Sequence, residues 1–429
     1  MAHRVRRRKD AAGCSAVRGF HGEDAIWVES GGRKGQGAFG AASRRPNSGA
    51  RDKTSLNSFG LDERDTQLTT MKLGLGLYRH MLTRENFQFA RQAGATHIVA
   101  HLVDYFRGAG HSKSDDQPLG TDWGWGLAGD PEKLWSLEEL VAIRRGVEAS
   151  GLTLEAIENF DPAHWHDILL DGPQRARHIE NVKTILRRLG EAGIPMMGYN
   201  FSIAGVAGRT KGNYARGEAP SVGMEGPYDL PMPNGLVWNM VVDPTAPQRA
   251  TGLIPPATHE QLWSRLQRFL DEVLPVAESA GVKLALHPDD PPMPFIRGQP
   301  RLVYQPSLYQ KVIDLNPSAA NTLEFCVGSL AEMTEGDIYD VVDQYSRQNR
   351  LGYVHLRNVR DKVPHYKETF IDDGEIDVLR VLAILHRNKF SGVIIPDHAP
   401  QMSCAAPWHA GMAFAMGFIK AGLKSLETK

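Results

Sequence analysis

The sequence predicts an α/β protein built as a (β/α)8 TIM barrel with long inserted loops after strands 2 and 4. Three observations carry that expectation. After Met71, short apolar runs alternate eight times with longer stretches of helical period. Most of those runs are continuously apolar, as strands covered on both faces must be. No glycine-rich phosphate turn follows any of them, which weakens the case for an open doubly wound sheet.

Taken in order, the predicted strands are Lys72–Leu77, Thr96–His101, Leu152–Glu158 and Ile194–Asn200, then Val282–His287, Ala320–Cys326, Leu351–Leu356 and Gly392–Asp397. The intervening stretches carry helix signals. Ser136-Leu137-Glu138-Glu139 reads as a capping box, and Gly151 stands where that helix should end. Leu262, Leu266, Phe269, Leu270, Val273, Leu274 and Ala277 trace one apolar helix face. Ala93-Gly94-Ala95, Ala192-Gly193-Ile194 and Ala280-Gly281-Val282 repeat one helix-to-strand join. The excess length falls at Val103–Leu134 and Phe201–Pro256, each following a strand, so both inserts should rise over the C-terminal rim where barrel active sites sit.

Composition narrows the function. The 429 residues hold 49 Lys+Arg and 50 Asp+Glu, a formal net charge of -1. Neither a nucleic-acid nor a membrane-surface partner is expected without a basic footprint. No apolar run approaches the ~20 residues of a membrane span. Cys14, Cys326 and Cys404 are too few and scattered for a disulfide framework, which points to a reducing, cytoplasmic setting. The charge is unevenly spread. Residues 1–70 carry thirteen basic and eight acidic groups, a net of +5, and residues 71–429 carry a net of -6. The first segment is rich in Gly, Ser and Arg with almost no apolar periodicity, so it reads as a disordered basic extension or an over-called start. Met71, opening MKLGLGL, reads as the start of the catalytic domain, 71–429.

The informative residues end strands 5 to 8. Strand 5 closes on His287, strand 6 on Cys326, strand 7 carries His355, and strand 8 closes on Asp397. Each alone is commonplace: a strand-end His is usually a hydrogen-bonded polar group, and a buried Cys usually packs as a small hydrophobe. Four at equivalent positions, spaced 39, 29 and 42 residues apart, assemble the ligand inventory of a divalent metal site. Thiolate and imidazole favour zinc or iron, whereas a carboxylate with open water positions admits manganese. His398 follows a ligand directly, as a proton-transfer group or as a hydrogen-bond donor to the ligand carboxylate. Arg357 and Arg209 are each read either as a fork for a substrate carboxylate or as a surface ion pair. His164 and His166 lie on the same rim without a distinguishing spacing, and Trp123 and Trp125 read either as a sugar-stacking face or as loop packing.

The runs ALHPDDPP (Ala285–Pro292), EFCVGS (Glu324–Ser329), VHLRN (Val354–Asn358), DDGEIDV (Asp372–Val378) and IPDHAPQM (Ile395–Met402) resemble the mannonate dehydratase family, one of the xylose-isomerase-like metal barrels. GYNF (Gly198–Phe201) and WSLEEL (Trp135–Leu140) are similar to further family segments. The resemblance implies a hydro-lyase (EC 4.2.1.8) using Mn²⁺, or Fe²⁺, to convert D-mannonate to 2-dehydro-3-deoxy-D-gluconate in hexuronate breakdown. It places metal ligands on His287, Cys326, His355 and Asp397, and a catalytic histidine on His398. Asn200 and Asp289 join Arg209 and Arg357 as substrate-binding candidates, for a small sugar acid as partner and in a family that is often oligomeric. The sequence also departs from the family pattern. Asp-His-Gly becomes Asp397-His398-Ala399, Asp-Trp-Thr-Arg-Thr becomes Val206-Ala207-Gly208-Arg209-Thr210, and a catalytic Tyr gives way to Trp408-His409. The His-His loop after strand 2 is replaced as well. An imidazole moves protons, so His409 is the expected substitute for that phenol, although its unperturbed pKa is near 6.5 rather than about 10. A sugar isomerase or epimerase of the same barrel group, or an inactive sugar-acid-binding barrel, is the competing expectation.

If residues 1–70 are dispensable, deleting them leaves solubility and the unfolding midpoint unchanged; loss of soluble protein on expression would show that they pack on the barrel.

Overall fold

The computed structural model describes residues 71–106, 124–242 and 251–427. Residues 1–70, Trp123 and part of the insert after strand 2 lie outside the described residues. All eight expected strands form: β1 (Lys72–Tyr78), β2 (His97–His101), β3 (Thr153–Glu158), β4 (Met196–Tyr199), β5 (Lys283–Leu286), β6 (Asn321–Cys326), β7 (Leu351–His355) and β8 (Val393–Ile395). They pair in parallel in chain order and close into a barrel, β8 returning to β1. The chain is thus a (β/α)8 barrel, and its strands stop one or two residues short of several predicted ends because the polar terminal residues leave the ladder.

Helix boundaries follow local chemistry. Thr258 accepts from the Gln261 backbone while the Gln261 side chain accepts from Thr258 N, a full capping box on the helix His259–Ala280. The seven apolar residues predicted for one face of that helix are all buried. Ser136 accepts from Glu139 N, but the Glu139 carboxylate meets Arg79 at 2.5 Å instead of returning to Ser136. The expected reciprocal box is therefore half formed, because a charged partner outcompetes a backbone amide for the carboxylate. Gly94 and Gly281 sit in the left-handed region, φ 98° and 68°, and end their helices as the repeated join predicts.

The barrel interior is packed by Val99, Ala156, Met196, Ala285, Tyr353, Val393 and Ile395. Polar groups are threaded through this core where a neighbour is small. A Cβ on Gly198 would lie 2.2 Å from the Tyr353 hydroxyl and 2.4 Å from Glu324 Oε2, so β4 makes room for a buried carboxylate by carrying glycine.

The insert after β4 is more ordered than the loop expected. Strands Thr210–Ala215 and Ala219–Gly223 pair antiparallel, and Lys367–Thr369 and Asn358–Arg360, from the segment after β7, extend them into a four-stranded rim sheet. A second hairpin, Leu236–Val237 with Met240–Val241, turns through Trp238 and Asn239, both at φ 57°. These strands escaped the sequence reading because they are short and their polar and small residues give little alternation. Among the described residues no helix is long and apolar enough to cross a membrane.

Candidate metal centre and active site

Register decides which strand ends meet. Cys326 lies opposite His355 across β6 and β7, and His355 opposite Ile395, two residues before Asp397. On the other side of the mouth Tyr78 lies opposite His101, and His101 opposite Glu158. His355 and Asp397 line one cavity at the C-terminal rim with Tyr78, His101 and Glu158, and Arg209, Trp238 and Trp408 stand on its wall; Cys326 is buried beside His355.

His287, Cys326 and His355 each present a ligand atom within 4.8 Å of the other two. Asp397 adjoins them, with Oδ1 3.3 Å from His355 Nδ1 and Oδ2 3.6 Å from Cys326 Sγ. Burial and Asp397 push the Cys326 thiol up, but Arg357 and the adjacent imidazoles of His287 and His355 outweigh them and bring it down to about 6. The sulfur also accepts from Ser329 N at 3.4 Å and Ser329 Oγ at 3.1 Å. Burial disfavours charge on His355, yet Asp397, Glu158 and Glu324 hold it well above its ordinary range. Both His355 ring nitrogens and both Glu324 oxygens are buried without a hydrogen bond. A near-thiolate, two imidazoles and surplus negative charge suit a divalent cation. On the far side of the ring, His355 Nε2 faces Glu324 Oε1 at 3.2 Å and Glu158 Oε2 at 3.4 Å, which leaves Nδ1 turned toward Asp397.

Arg357 does not face a substrate. It is 1% exposed, and its guanidinium is consumed by protein groups. Nε donates to Asp397 at 2.8 Å, Nη1 to Glu332 at 2.5 Å, and Nη2 to Asp290 at 2.6 Å and Ser329 Oγ at 3.3 Å. The expected carboxylate fork is corrected to a buried structural cation. Burial still lifts Glu332 above its usual range, whereas Arg357 and Arg209 bring Asp290 down to about 2 against the same burial penalty.

Asp289 is corrected likewise. Its Oδ2 accepts from Leu302 N at 2.7 Å and Val303 N at 2.8 Å, and Oδ1 lies 2.8 Å from Arg301 Nε, all away from the cavity. The adjacent Asp290 lines the cavity instead. Asn200 is on the wall, but its amide is held, Nδ2 donating to Pro288 O at 3.1 Å and Oδ1 accepting from Trp238 Nε1 at 3.3 Å. His409 does not reach the site: its Nε2 lies 2.9 Å from Asn86 Oδ1, and its ring packs on Phe89 at 4.8 Å. The helix Pro407–Glu427 turns Trp408 and Met412 to the cavity and His409 to the outer helix, one position off.

Two predicted residues, Arg209 and His398, line the cavity. Arg209 lines the cavity, is buried, and makes no ion pair among the described residues; its Nε is buried and unpartnered. His398 lines the cavity with Nδ1 3.1 Å from Glu368 Oε1 and Nε2 3.4 Å from Asp397 Oδ1. Burial opposes its charge, but Asp397 and Glu368 raise it above the ordinary imidazole value. His164 reaches only Asp130 O, at 3.0 Å. His166, Asp167 and His178 form another tight group, but there Asp167 N donates to His178 Nδ1 and Gln174 N to Asp167 Oδ2, which ties a helix junction together. Trp125 stacks on Tyr105 at 5.0 Å and also lines the cavity.

Sequence reasoning missed Tyr78, His101, Glu158, Asp290 and Glu368. The strand-end rule that found His287 to Asp397 applies equally to β1 to β3, where Tyr78, His101 and Glu158 end their strands. Glu368 arrives on the rim sheet, and no strand-end signal marks it.

A model of the family described as D-mannonate dehydratase (UxuA) matches residues 79–222 and 255–417. A mannonate dehydratase of Geobacillus thermodenitrificans is 31% identical over 287 residues, 62% of this chain and 76% of that one. One from Streptococcus equi subsp. zooepidemicus is 32% identical over 290 residues, 62% and 74%. The crystal structure of mannonate dehydratase from Streptococcus suis serotype 2 superposes with a TM-score of 0.63 at 26% identity, covering 83% of this chain and 94% of that one.

Replacing Arg357 with Met should lower the unfolding free energy by about 3–5 kcal/mol, since removing one partner leaves buried carboxylates uncompensated. Urea denaturation checks this; a loss under about 1 kcal/mol would mean that protons, not Arg357, neutralise the cluster.

Proposed function

The chain belongs to the D-mannonate dehydratase family, and on that premise we propose that it dehydrates D-mannonate, or a closely related sugar acid, to 2-dehydro-3-deoxy-D-gluconate and water in the cytoplasm. The observation that carries this reading is the meeting of Cys326, His287 and His355 beside a rim cavity that Arg209 lines with no ion pair among the described residues. His287, Cys326 and His355, with Asp397 beside them, fit a divalent cation, for which we propose Mn²⁺ or Fe²⁺. Such an ion supplies Lewis acidity to a sugar-acid carboxylate, whose neighbouring C2 proton is otherwise only weakly acidic.

The chain's own groups account for the remainder. Arg209, a buried cation with no ion pair among the described residues, meets the substrate carboxylate. Glu368 holds His398 Nδ1, which leaves Nε2 as the nitrogen that takes or returns a proton at the cavity. Loss of the C2 proton and of the C3 hydroxyl, which departs as water once protonated, leaves an enol that rearranges to the 2-keto acid. Tyr105, Trp125, Trp238 and Trp408 wall the cavity against bulk water. The family match favours this lyase reading over an isomerase or epimerase of the same barrel architecture.

The full chain incubated with Mn²⁺ and D-mannonate should release a 2-keto-3-deoxy acid detectable as its semicarbazone. A product of unchanged formula and altered stereochemistry would sink the lyase reading, and intact mannonate would sink turnover altogether. Cys326→Ser should lose bound Mn²⁺ by elemental analysis; full occupancy would refute the ligand assignment. His398→Asn should keep the metal and lose about 10²–10⁴-fold in turnover, and wild-type rates would remove it from proton transfer.

A further inference from the structure

We infer that the Tyr105 phenol is a substrate-contacting hydrogen-bond donor of this site, and that Asn159 sets it in that role. The inference rests on the sugar-acid reading above and gives Tyr105, there only part of the cavity wall, a direct contact with the substrate. Tyr105 stands four residues past the end of β2, and Asn159 directly follows Glu158 at the end of β3. Both line the cavity shared with Arg209 and His398.

The direction of one hydrogen bond sets the role of the phenol. Asn159 Nδ2 lies 2.8 Å from the Tyr105 hydroxyl. An amide nitrogen carries donors and no acceptor, so the phenol oxygen accepts and its own proton is left unspent. Among the described residues no other group is within hydrogen-bond distance of that hydroxyl. The ring cannot swing away to find one. It is 2% exposed, stacked on Trp125 at 5.0 Å and 16°, and edge-on to Tyr78 at 5.7 Å. Leaving a buried donor unmade is costly, and a sugar hydroxyl oxygen in the cavity satisfies it.

Asn159 is itself held in an uncommon backbone state. Its φ is 68°, in the left-handed region that Asn tolerates better than most residues, and its N–H is anchored to Gly198 O at 2.9 Å. Backbone strain at a cavity wall is a recurrent mark of a group being aimed. Burial and the charge of Glu158 push the Tyr105 hydroxyl well above its ordinary pKa, in keeping with a phenol that stays protonated.

The test uses the full-length, Mn²⁺-loaded chain. Tyr105→Phe should lower kcat/KM for D-mannonate about tenfold, the scale of one hydrogen bond to an uncharged group. Asn159→Asp replaces the donor with an acceptor that captures the phenol proton. It should cost a similar factor, and little more when combined with Tyr105→Phe. For the monodeoxy sugar acid lacking the contacted hydroxyl, the wild type and Tyr105→Phe should become equal in affinity by calorimetry, a result that a merely structural tyrosine would not produce. An active wild type whose Tyr105→Phe form stays within twofold on D-mannonate, or keeps the same penalty on every deoxy analogue, overturns this inference and leaves the dehydratase reading standing. A wild type that neither binds nor turns over D-mannonate overturns both.

Discussion

One guanidinium organises the acidic side of this site. Arg357 joins four carboxylates, Asp290, Glu332, Glu368 and Asp397, that arrive from different βα units. Without a central cation their mutual repulsion in a buried space would drive them to take up protons or to separate. With it, Asp397 stays anionic beside Cys326 and His355, Asp290 stays anionic at the cavity wall, and Glu368 stays able to hold His398. The same positive charge draws Cys326 toward thiolate. The proposed ligands and the proposed proton-transfer group thus share one electrostatic keystone that no substrate needs to touch.

The barrel supplies the other half of the arrangement. Parallel strands in register bring residues far apart in sequence to adjacent positions on one rim, which is how Cys326 and His355 come to lie side by side. Small side chains inside the barrel, Gly198 above all, let Glu324 and Tyr353 pack against His355. His355 is consequently fixed from two directions, by Asp397 at one nitrogen and by buried carboxylates at the other.

Much of this was legible in the sequence, and the boundary is physical. Eight runs, most of them continuously apolar, determine the barrel, and the polar residues at or beside their ends expose His287, Cys326, His355 and Asp397, because a polar group at the end of a buried strand needs a reason. Direction is what a one-dimensional pattern lacks. Asp289 and Asp290, or Trp408 and His409, are neighbours whose side chains diverge, and only tertiary packing decides which one enters the cavity. Arg357 read as a surface or substrate-facing cation because nothing local announces the four acids around it. Glu368 and the rim sheet stayed hidden because their strands are short, weakly alternating, and paired across more than a hundred residues.

The paired acids of the HPDDPP run have a consequence of their own. Asp289 is spent on the main chain of Leu302 and Val303 and on Arg301, while Asp290 reaches Arg357, Ser329 and Tyr366 at the cavity. Loss of the first would strip a loop and Arg301 of their partner, and loss of the second would disturb both the Arg357 cluster and the cavity wall. Two identical letters side by side therefore answer to separate pressures, and a growth selection on the sugar acid would score their loss alike while the causes differed.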